Sequence, residues 1–298
     1  MKRLLLTGGT GFLGKHVKPF LDGLYAVTTL GISSCNDIQC DLSYEVPVLD
    51  SQYDIVVHAA GKAHMTPRTE DERKTFFDVN YQGTVNLCKA LEQLGYTEQF
   101  IYISTIAVYG LIEGRNIGET TPLEGFTPYA KSKILAEKYL SRWCFEHGVR
   151  LCVLRPPLLI GDNPPGNLGS MIKGIRTGKY MSIAGGKAHK SVLMVEDIAR
   201  LIPLLDGKEG VYNVCDDSHP TMRELERSIS RQMDKQPPLN IPYWVAKCLA
   251  LIGDCIGDEA PINSNKLRKL TSTLTISNEK AKQELKWKPL NVIETIRL

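Results

Sequence analysis

The chain has 298 residues, 43% hydrophobic and 23% charged, a composition that allows a sizeable core in one large domain or two coupled ones. Its 36 basic and 33 acidic residues leave a formal net charge of +3 with no basic cluster, which gives no case for nucleic-acid binding. The apolar start at Leu4–Leu6 stops at Thr7-Gly8, too short for a signal peptide, and no run of about eighteen apolar residues follows; a cytoplasmic protein without a membrane partner is expected.

Arg3–Thr7 reads as a first strand, and Phe12–Leu21 as a helix. Between them stands Thr7-Gly8-Gly9-Thr10-Gly11-Phe12-Leu13-Gly14, with glycines spaced GxxGxxG. Gly8 permits a tight turn, Gly11 lets the backbone approach a pyrophosphate, and Gly14 lets the helix pack close to the sheet. The helix N-terminus then offers free N–H groups to an anion. A glycine-rich turn with no ligand is the bland alternative, and the position between a strand and a helix favours cofactor binding.

A second strand is expected at Tyr25–Leu30, followed by Gly31-Ile32-Ser33-Ser34. An acid there would accept hydrogen bonds from ribose hydroxyls, and a basic residue would pair a 2′-phosphate. Neither is present, so the choice between NAD and NADP stays open. Ile55–His58 is a buried strand, Arg73–Leu94 a helix, and Gln99–Ser104 another strand. Tyr129–Phe145 reads as a long helix and Arg150–Leu154 as the strand after it. Strands alternating with helices imply βαβ units and a parallel sheet.

After Arg155 the pattern turns loop-rich, with helices expected at Ser170–Thr177, Val195–Leu205, Met222–Gln232 and Trp244–Ile252. The expected division is a Rossmann domain over 1–155 and a smaller substrate lobe over 156–298, some segments of which return to the sheet. Eight cysteines form no CxxC pair and no histidine spacing completes a zinc site. They read as reduced, buried packing residues, and no metal is expected.

Tyr129 and Lys133 are four apart on the long helix and so share a face. A nearby ammonium would lower the phenol pKa and suit Tyr129 to proton exchange at a carbonyl/alcohol pair, while the lysine could also hold ribose hydroxyls. A packing aromatic is the alternative. Thr105, at the C-terminal edge of the sheet, could fix the reacting oxygen, with Ser104 as rival candidate.

These segments together resemble the extended short-chain dehydrogenases, the NAD-dependent epimerase/dehydratase family. The resemblance implies an α/β NAD(P)-binding Rossmann fold with a doubly wound parallel sheet and a smaller C-terminal substrate lobe. It implies cofactor contacts at Gly8, Thr10, Gly11, Phe12, Leu13, Gly14, Asp41, Leu42, Ala59, Ala60, Gly61, Asn80, Ser104, Tyr129, Lys133 and Pro156. Asp41 would face adenine, a turn residue being its alternative, and Asn80 would help set the active-site architecture. Thr105, Tyr129 and Lys133 match the family's catalytic positions, and Glu119 the acid before its active-site helix. Asn167, Leu168 and Lys190 fall where the family meets a nucleotide diphosphate, with lysine in place of the usual arginine.

Arg155–Gly161 and the stretch His58–Met65 resemble a branch of UDP-sugar 4-epimerases and 4-keto-6-deoxy-sugar reductases of surface-polysaccharide synthesis. A nucleotide-sugar substrate follows, a UDP-sugar favoured. Dehydration is not expected, because Ile106-Ala107 replace the Asp-Glu pair of the dehydratases. A homodimer through the two long helices is implied by analogy. From a different class, a non-catalytic NAD(P)-binding sensor or scaffold would keep the glycine loop without the chemistry.

Overall fold

The computed structural model describes residues 1–257, 260 and 262–297. Its first half runs β1 (Arg3–Thr7), α1 (Phe12–Leu21), β2 (Ala26–Gly31), β3 (Ile38–Gln39), β4 (Ile55–His58), α2 (Glu70–Phe77), α3 (Gly83–Leu94), β5 (Gln99–Ile103), β6 (Gly114–Ile117), α4 (Pro128–His147) and β7 (Arg150–Arg155). The second half runs β8 (Leu158–Ile160), α5 (Gly166–Arg176), β9 (Ser182–Ile183), β10 (Val192–Met194), α6 (Val195–Leu201), β11 (Gly210–Asn213), α7 (Met222–Gln232), β12 (Asn240–Ile241), α8 (Tyr243–Ile256), α9 (Ser264–Thr271), β13 (Leu274–Ile276), α10 (Glu279–Leu285) and α11 (Val292–Thr295).

Seven strands form a parallel sheet in the order β11-β7-β5-β4-β1-β2-β3. The order reverses between β1 and β4, so the crevice for a ligand opens beyond the C-terminal ends of these two strands. Side chains alternate between the two faces, as the pleat requires. Leu4, Leu6, Val57 and Ile101 pack with α1 and α6 on one side. Leu5, Val56, Phe100 and Tyr102 pack with α3 and α4 on the other. Helices cover both faces, which is the doubly wound α/β architecture.

Local chemistry sets the ends of the helices. Thr69 and Glu72 form a capping box at α2, and Thr221 and Glu224 another at α7. The α4 helix starts where Ala130 N donates to Thr127 Oγ1 (3.1 Å), with Pro128 in its first turn. The helix expected over Arg73–Leu94 starts earlier and is not continuous. A π-helical turn at Asp78–Gln82 divides α2 from α3, adding a residue to the turn that carries Asn80. The helix expected over Val195–Leu205 tightens into a 3₁₀ turn at Ile202–Leu205, where Pro203 supplies no N–H for an α-helical bond.

The remaining strands are short, and β8–β10, β9–β12 and β6–β13 pair in twos. Strand β11, though late in the chain, joins the large sheet beside β7. All eight cysteines are free thiols, but only five are buried: Cys35, Cys248 and Cys255 are exposed, contrary to the expectation that all pack inside.

Candidate functional site

The glycine loop occupies the bend from β1 into α1, at the point where the strand order reverses. Gly8 has φ +74°, and a Cβ there would lie 2.8 Å from the Ala60 backbone. A Cβ on Gly14 would lie 2.2 Å from Gly8 O, so the first turn of α1 can seat on the loop only without a side chain. Gly11 is the N-cap and brings no capping side chain, which leaves the first N–H groups of α1, on Phe12, Leu13 and Gly14, facing the crevice entrance for an anion.

A buried polar chain spans the same point. Thr7 Oγ1 bonds His58 Nδ1 (2.6 Å), His58 Nε2 bonds Thr84 Oγ1 (3.0 Å), and Thr84 donates to Asn80 O (2.7 Å). Burial, with the Lys133 charge as a smaller cause, lowers the His58 pKa to about 3, so the imidazole is a neutral link between β1, β4 and α3. Asn80 is fully buried; its side chain donates to Ser132 Oγ (2.9 Å) and accepts from Lys62 N (2.8 Å). A Cβ on Gly61 would come within 3.0 Å of Asn80 Oδ1 and 3.2 Å of Lys133 Nζ. Gly61, Asn80 and Lys133 therefore meet at one place.

Tyr129 sits in the first turn of α4, partly buried, and its pKa is raised by burial, with a hydrogen bond to Thr105 acting in the other direction. The sequence led to the opposite expectation, a phenol lowered by Lys133. The difference has a physical cause: the Lys133 ammonium donates to Ile103 O (2.8 Å) and lies 4.7 Å from the Tyr102 ring centre. Burial lowers the Lys133 pKa to about 8, against the pull of the Glu137 carboxylate. Thr105 also accepts from Ala107 N (3.2 Å), capping the 3₁₀ turn at Ile106–Tyr109 that fixes its hydroxyl beside Tyr129.

Ser104, the rival hydroxyl, turns away and donates to Glu137. Glu137 holds Arg155 through two hydrogen bonds, at 2.6 and 3.1 Å, with both side chains about 5% exposed. Arg155 donates on to Tyr109 Oη (3.1 Å), which donates to Asn213 Oδ1 (2.7 Å). Asn213 N donates to Glu119 Oε1 (2.9 Å), so the Glu119 carboxylate belongs to this network beneath the site. Nothing in the sequence motif of Ser104 signalled a partner on the following helix.

The other expected contacts divide. Thr10 lies in the loop itself and Ala59 and Ala60 border it from the end of β4. Asp41 takes hydrogen bonds from Ser43 N (3.0 Å) and Ser43 Oγ (2.5 Å), which makes it a turn residue. It nonetheless lines an open hollow of about 430 Å³ with Ile32, Gln39, Cys40 and Glu45, at the edge of the sheet. Leu42 is buried and its carbonyl accepts from Asn86 Nδ2 (2.8 Å). Pro156 is buried, with its carbonyl taking the Ile106 N–H (3.1 Å).

In the lobe, Asn167 is exposed in the first turn of α5, whereas Leu168 is buried in the core between α5 and α7 and offers no side chain to a substrate. The Lys190 ammonium donates to the carbonyls of Lys269 (2.7 Å) and Ser272 (2.6 Å) at the C-terminal end of α9. This corrects its expected place as a free counter-charge for a diphosphate. A cation there satisfies carbonyls that the helix itself leaves unpaired.

Asn36 is a residue the sequence did not single out. It is buried, its Nδ2 donates to Ser33 O (2.8 Å), and its Oδ1 has no partner. That oxygen lies 3.5 Å from where Cβ atoms of Gly9 and of Gly31 would stand. An unpaired buried acceptor between the glycine loop and the end of β2 fits a dinucleotide, whose ribose hydroxyls would supply the missing donor. The nearest acid, Asp37, is instead spent on Thr29 N (2.7 Å) and Thr29 Oγ1 (2.8 Å).

Residues 4–215 match the model of the NAD dependent epimerase/dehydratase family. The chain is 25% identical to N-acetyl-alpha-D-glucosaminyl-diphospho-ditrans,octacis-undecaprenol 4-epimerase of Escherichia coli O157:H7, over 91% of this chain and 86% of that protein. It is 29% identical to UDP-glucose 4-epimerase of Vibrio cholerae (98% and 92%) and 30% identical to GDP-6-deoxy-D-mannose reductase of Pseudomonas aeruginosa (75% and 78%). The solved UDP-glucose 4-epimerase of Thermus thermophilus shares the fold, with a TM-score of 0.74 at 24% identity over 99% of this chain and 97% of that one.

Proposed function

The chain belongs to the NAD dependent epimerase/dehydratase family and is an NAD(P)-dependent enzyme, and on that premise we propose that it transfers a hydride at C4 of a diphosphate-linked sugar, with Thr105, Tyr129 and Lys133 as the reacting constellation. The observation that supports this reading is the Thr105–Tyr129 hydroxyl pair at the start of α4, one turn before the Lys133 that meets Gly61 and Asn80, beside the crevice where the strand order reverses.

Bound NAD(P) supplies the hydride acceptor and donor. The glycine loop and the first turn of α1 hold its diphosphate, Asn36 accepts from the adenosine ribose, and Lys133 serves the other ribose. Thr105 orients the sugar C4 oxygen. Tyr129 takes the proton from that oxygen as the sugar is oxidised and returns it as the ketone is reduced. A phenol whose pKa is raised holds its proton at neutral pH, which suits the second of these roles without further activation.

A sugar carried on a diphosphate is common to the three curated relatives, and a UDP-sugar is the favoured form. A reductase and an epimerase share this machinery and differ in stoichiometry. With a 4-keto sugar, a reductase consumes one NAD(P)H per sugar, read as loss of absorbance. An epimerase interconverts the C4 epimers with no net loss. A purified chain that does neither, with UDP-, GDP- or dTDP-sugars, would reduce it to a dinucleotide-binding module.

A further inference from the structure

Helix α8 sits in the lobe the wrong way round for a helix facing water. Its seated side is made of small residues, Ala246, Ala250 and Gly253, and a Cβ on Gly253 would stand 1.9 Å from Ile262 O. Its bulky residues point outward. Trp244 is 69% exposed, Ile252 63% and Ile256 62%, with Leu249 and Leu251 beside them. On a helical projection Trp244, Leu251 and Ile252 occupy the side opposite Ala246, Leu249 and Ile256 lie on one flank, and the polar residues Lys247 and Asp254 stand together on the other. Asp254 is engaged by Ser264 at the start of α9. Just before the paired strands β9 and β12, which pack on the seated side of α8, Met181 is 48% and Leu239 81% exposed. Large apolar side chains exposed side by side mark an interaction surface.

Charge indicates its occupant. The chain carries no acidic residue between Asp162 and Glu196, but there it carries Lys173, Arg176 and Lys179, all exposed and leading into β9. Exposed Arg268 and Lys269 lie on α9, which packs on α8 and carries no acid. The link between the two helices holds Asp258 and Glu259, outside the described residues. A second copy docked on this face by a twofold axis would bring the two sets of basic residues towards each other. An anionic lipid surface meets them with opposite charge and accepts the apolar side chains below it. The aromatic pair Tyr243-Trp244 at the start of the helix suits the water–lipid boundary. At 14 residues α8 is too short to cross a bilayer, so it would lie in the plane of the surface.

We propose that the outward face of α8 is a docking surface for an anionic lipid bilayer. The expectation of no membrane partner, drawn from the absence of a long apolar run, addressed spanning segments and not a face built from one short helix. The proposal is independent of the reaction, because vesicle binding and turnover are read separately.

The protein carries its own probe. Trp143 and Trp287 are buried, at 4% and 2% exposure, so an emission change on lipid binding reports Trp244. The full chain is mixed with vesicles of phosphatidylcholine alone and with an equimolar mixture of phosphatidylcholine and phosphatidylglycerol. The expected result is co-sedimentation and a blue shift with the anionic vesicles only. Leu251→Ser and Ile252→Ser should each weaken that binding by about tenfold, with turnover of a water-soluble sugar substrate unchanged. Arg268→Glu with Lys269→Glu should weaken it further at low salt. An unshifted Trp244 and no co-sedimentation with either vesicle would overturn the proposal. So would equal binding to both compositions, or a dimer in solution that the Leu251 and Ile252 substitutions dissolve.

Discussion

The seven-stranded sheet and the C-terminal lobe each hold a lysine whose pKa burial lowers to about 8, and the two are put to different use. Lys133 lies between the end of β5 and the Tyr102 ring, four residues from Tyr129 and four from the Glu137 carboxylate. Lys190 lies on the last carbonyls of α9. A lowered pKa alone thus marks burial of a cation and not a reactive one. What separates the two is the company: Gly61, the buried Asn80 amide and the Glu137 carboxylate around Lys133, one turn of helix from Tyr129, and backbone carbonyls around Lys190.

That contrast is sharpest at Tyr129. Tyr129→Phe removes the proposed proton donor and should lower kcat by about 10²–10⁴-fold, with the melting temperature little changed, as steady-state assays beside thermal unfolding would read. A variant that keeps full turnover would move Tyr129 to the same structural class as Lys190.

The pH dependence of kcat/KM tests the other half of the comparison. Folding lowers the Lys133 pKa, so its ammonium is present below about 8 and lost as pH rises through that value. The free enzyme should lose activity above that pH. Lys133→Arg keeps the charge at all working pH values and should abolish the break near 8, at a reduced rate.

Lys190→Met should act on stability more than on turnover. It removes two hydrogen bonds from the end of α9, at a cost of about 1–3 kcal/mol. Because folding also lowers the Lys190 pKa, from 10.5 to about 8, this residue adds stability as pH rises between those values. Denaturant unfolding across that window should show a rise in the parent protein that the variant lacks in part. A large loss of kcat without a loss of stability would return Lys190 to the substrate site.

The smallest effect is expected at Asn36. Asn36→Ala removes the unpaired acceptor beside Gly9 and should weaken NAD(P) by about two- to tenfold, the worth of one hydrogen bond, measured by fluorescence titration. An unchanged affinity would show that the cofactor does not reach it.

The same division explains what was legible in the sequence. Arg3–Thr7, Phe12–Leu21 and Ile55–His58 form as their apolar pattern indicates, because each lies against a core that wants that pattern. Strands of two or three residues, such as β9 and β12, carry no period to read, and their partners are distant in the chain. The π turn around Asn80 was equally hidden, since one extra residue in a turn leaves the apolar spacing of α2 and α3 intact on either side. The glycine loop and the Tyr129–Lys133 spacing, on which the proposed site rests, could be read because each is a short-range pattern in the chain. Ser104 bonding Glu137, and Lys190 bonding Lys269 and Ser272, did not, because those contacts join residues 33, 79 and 82 positions apart. The outward face of α8 was visible as a helix but not as a surface, since its apolar residues read equally well as core.

The most direct test of the reaction uses a UDP-sugar carrying deuterium at C4. If hydride moves between that carbon and NAD(P), the label ends on C4 of the epimer or on the reduced cofactor, and its transfer slows in Tyr129→Phe. Loss of the label to water, at a rate matching turnover, would mean that the chain removes a proton from C4, and the proposed chemistry would be wrong.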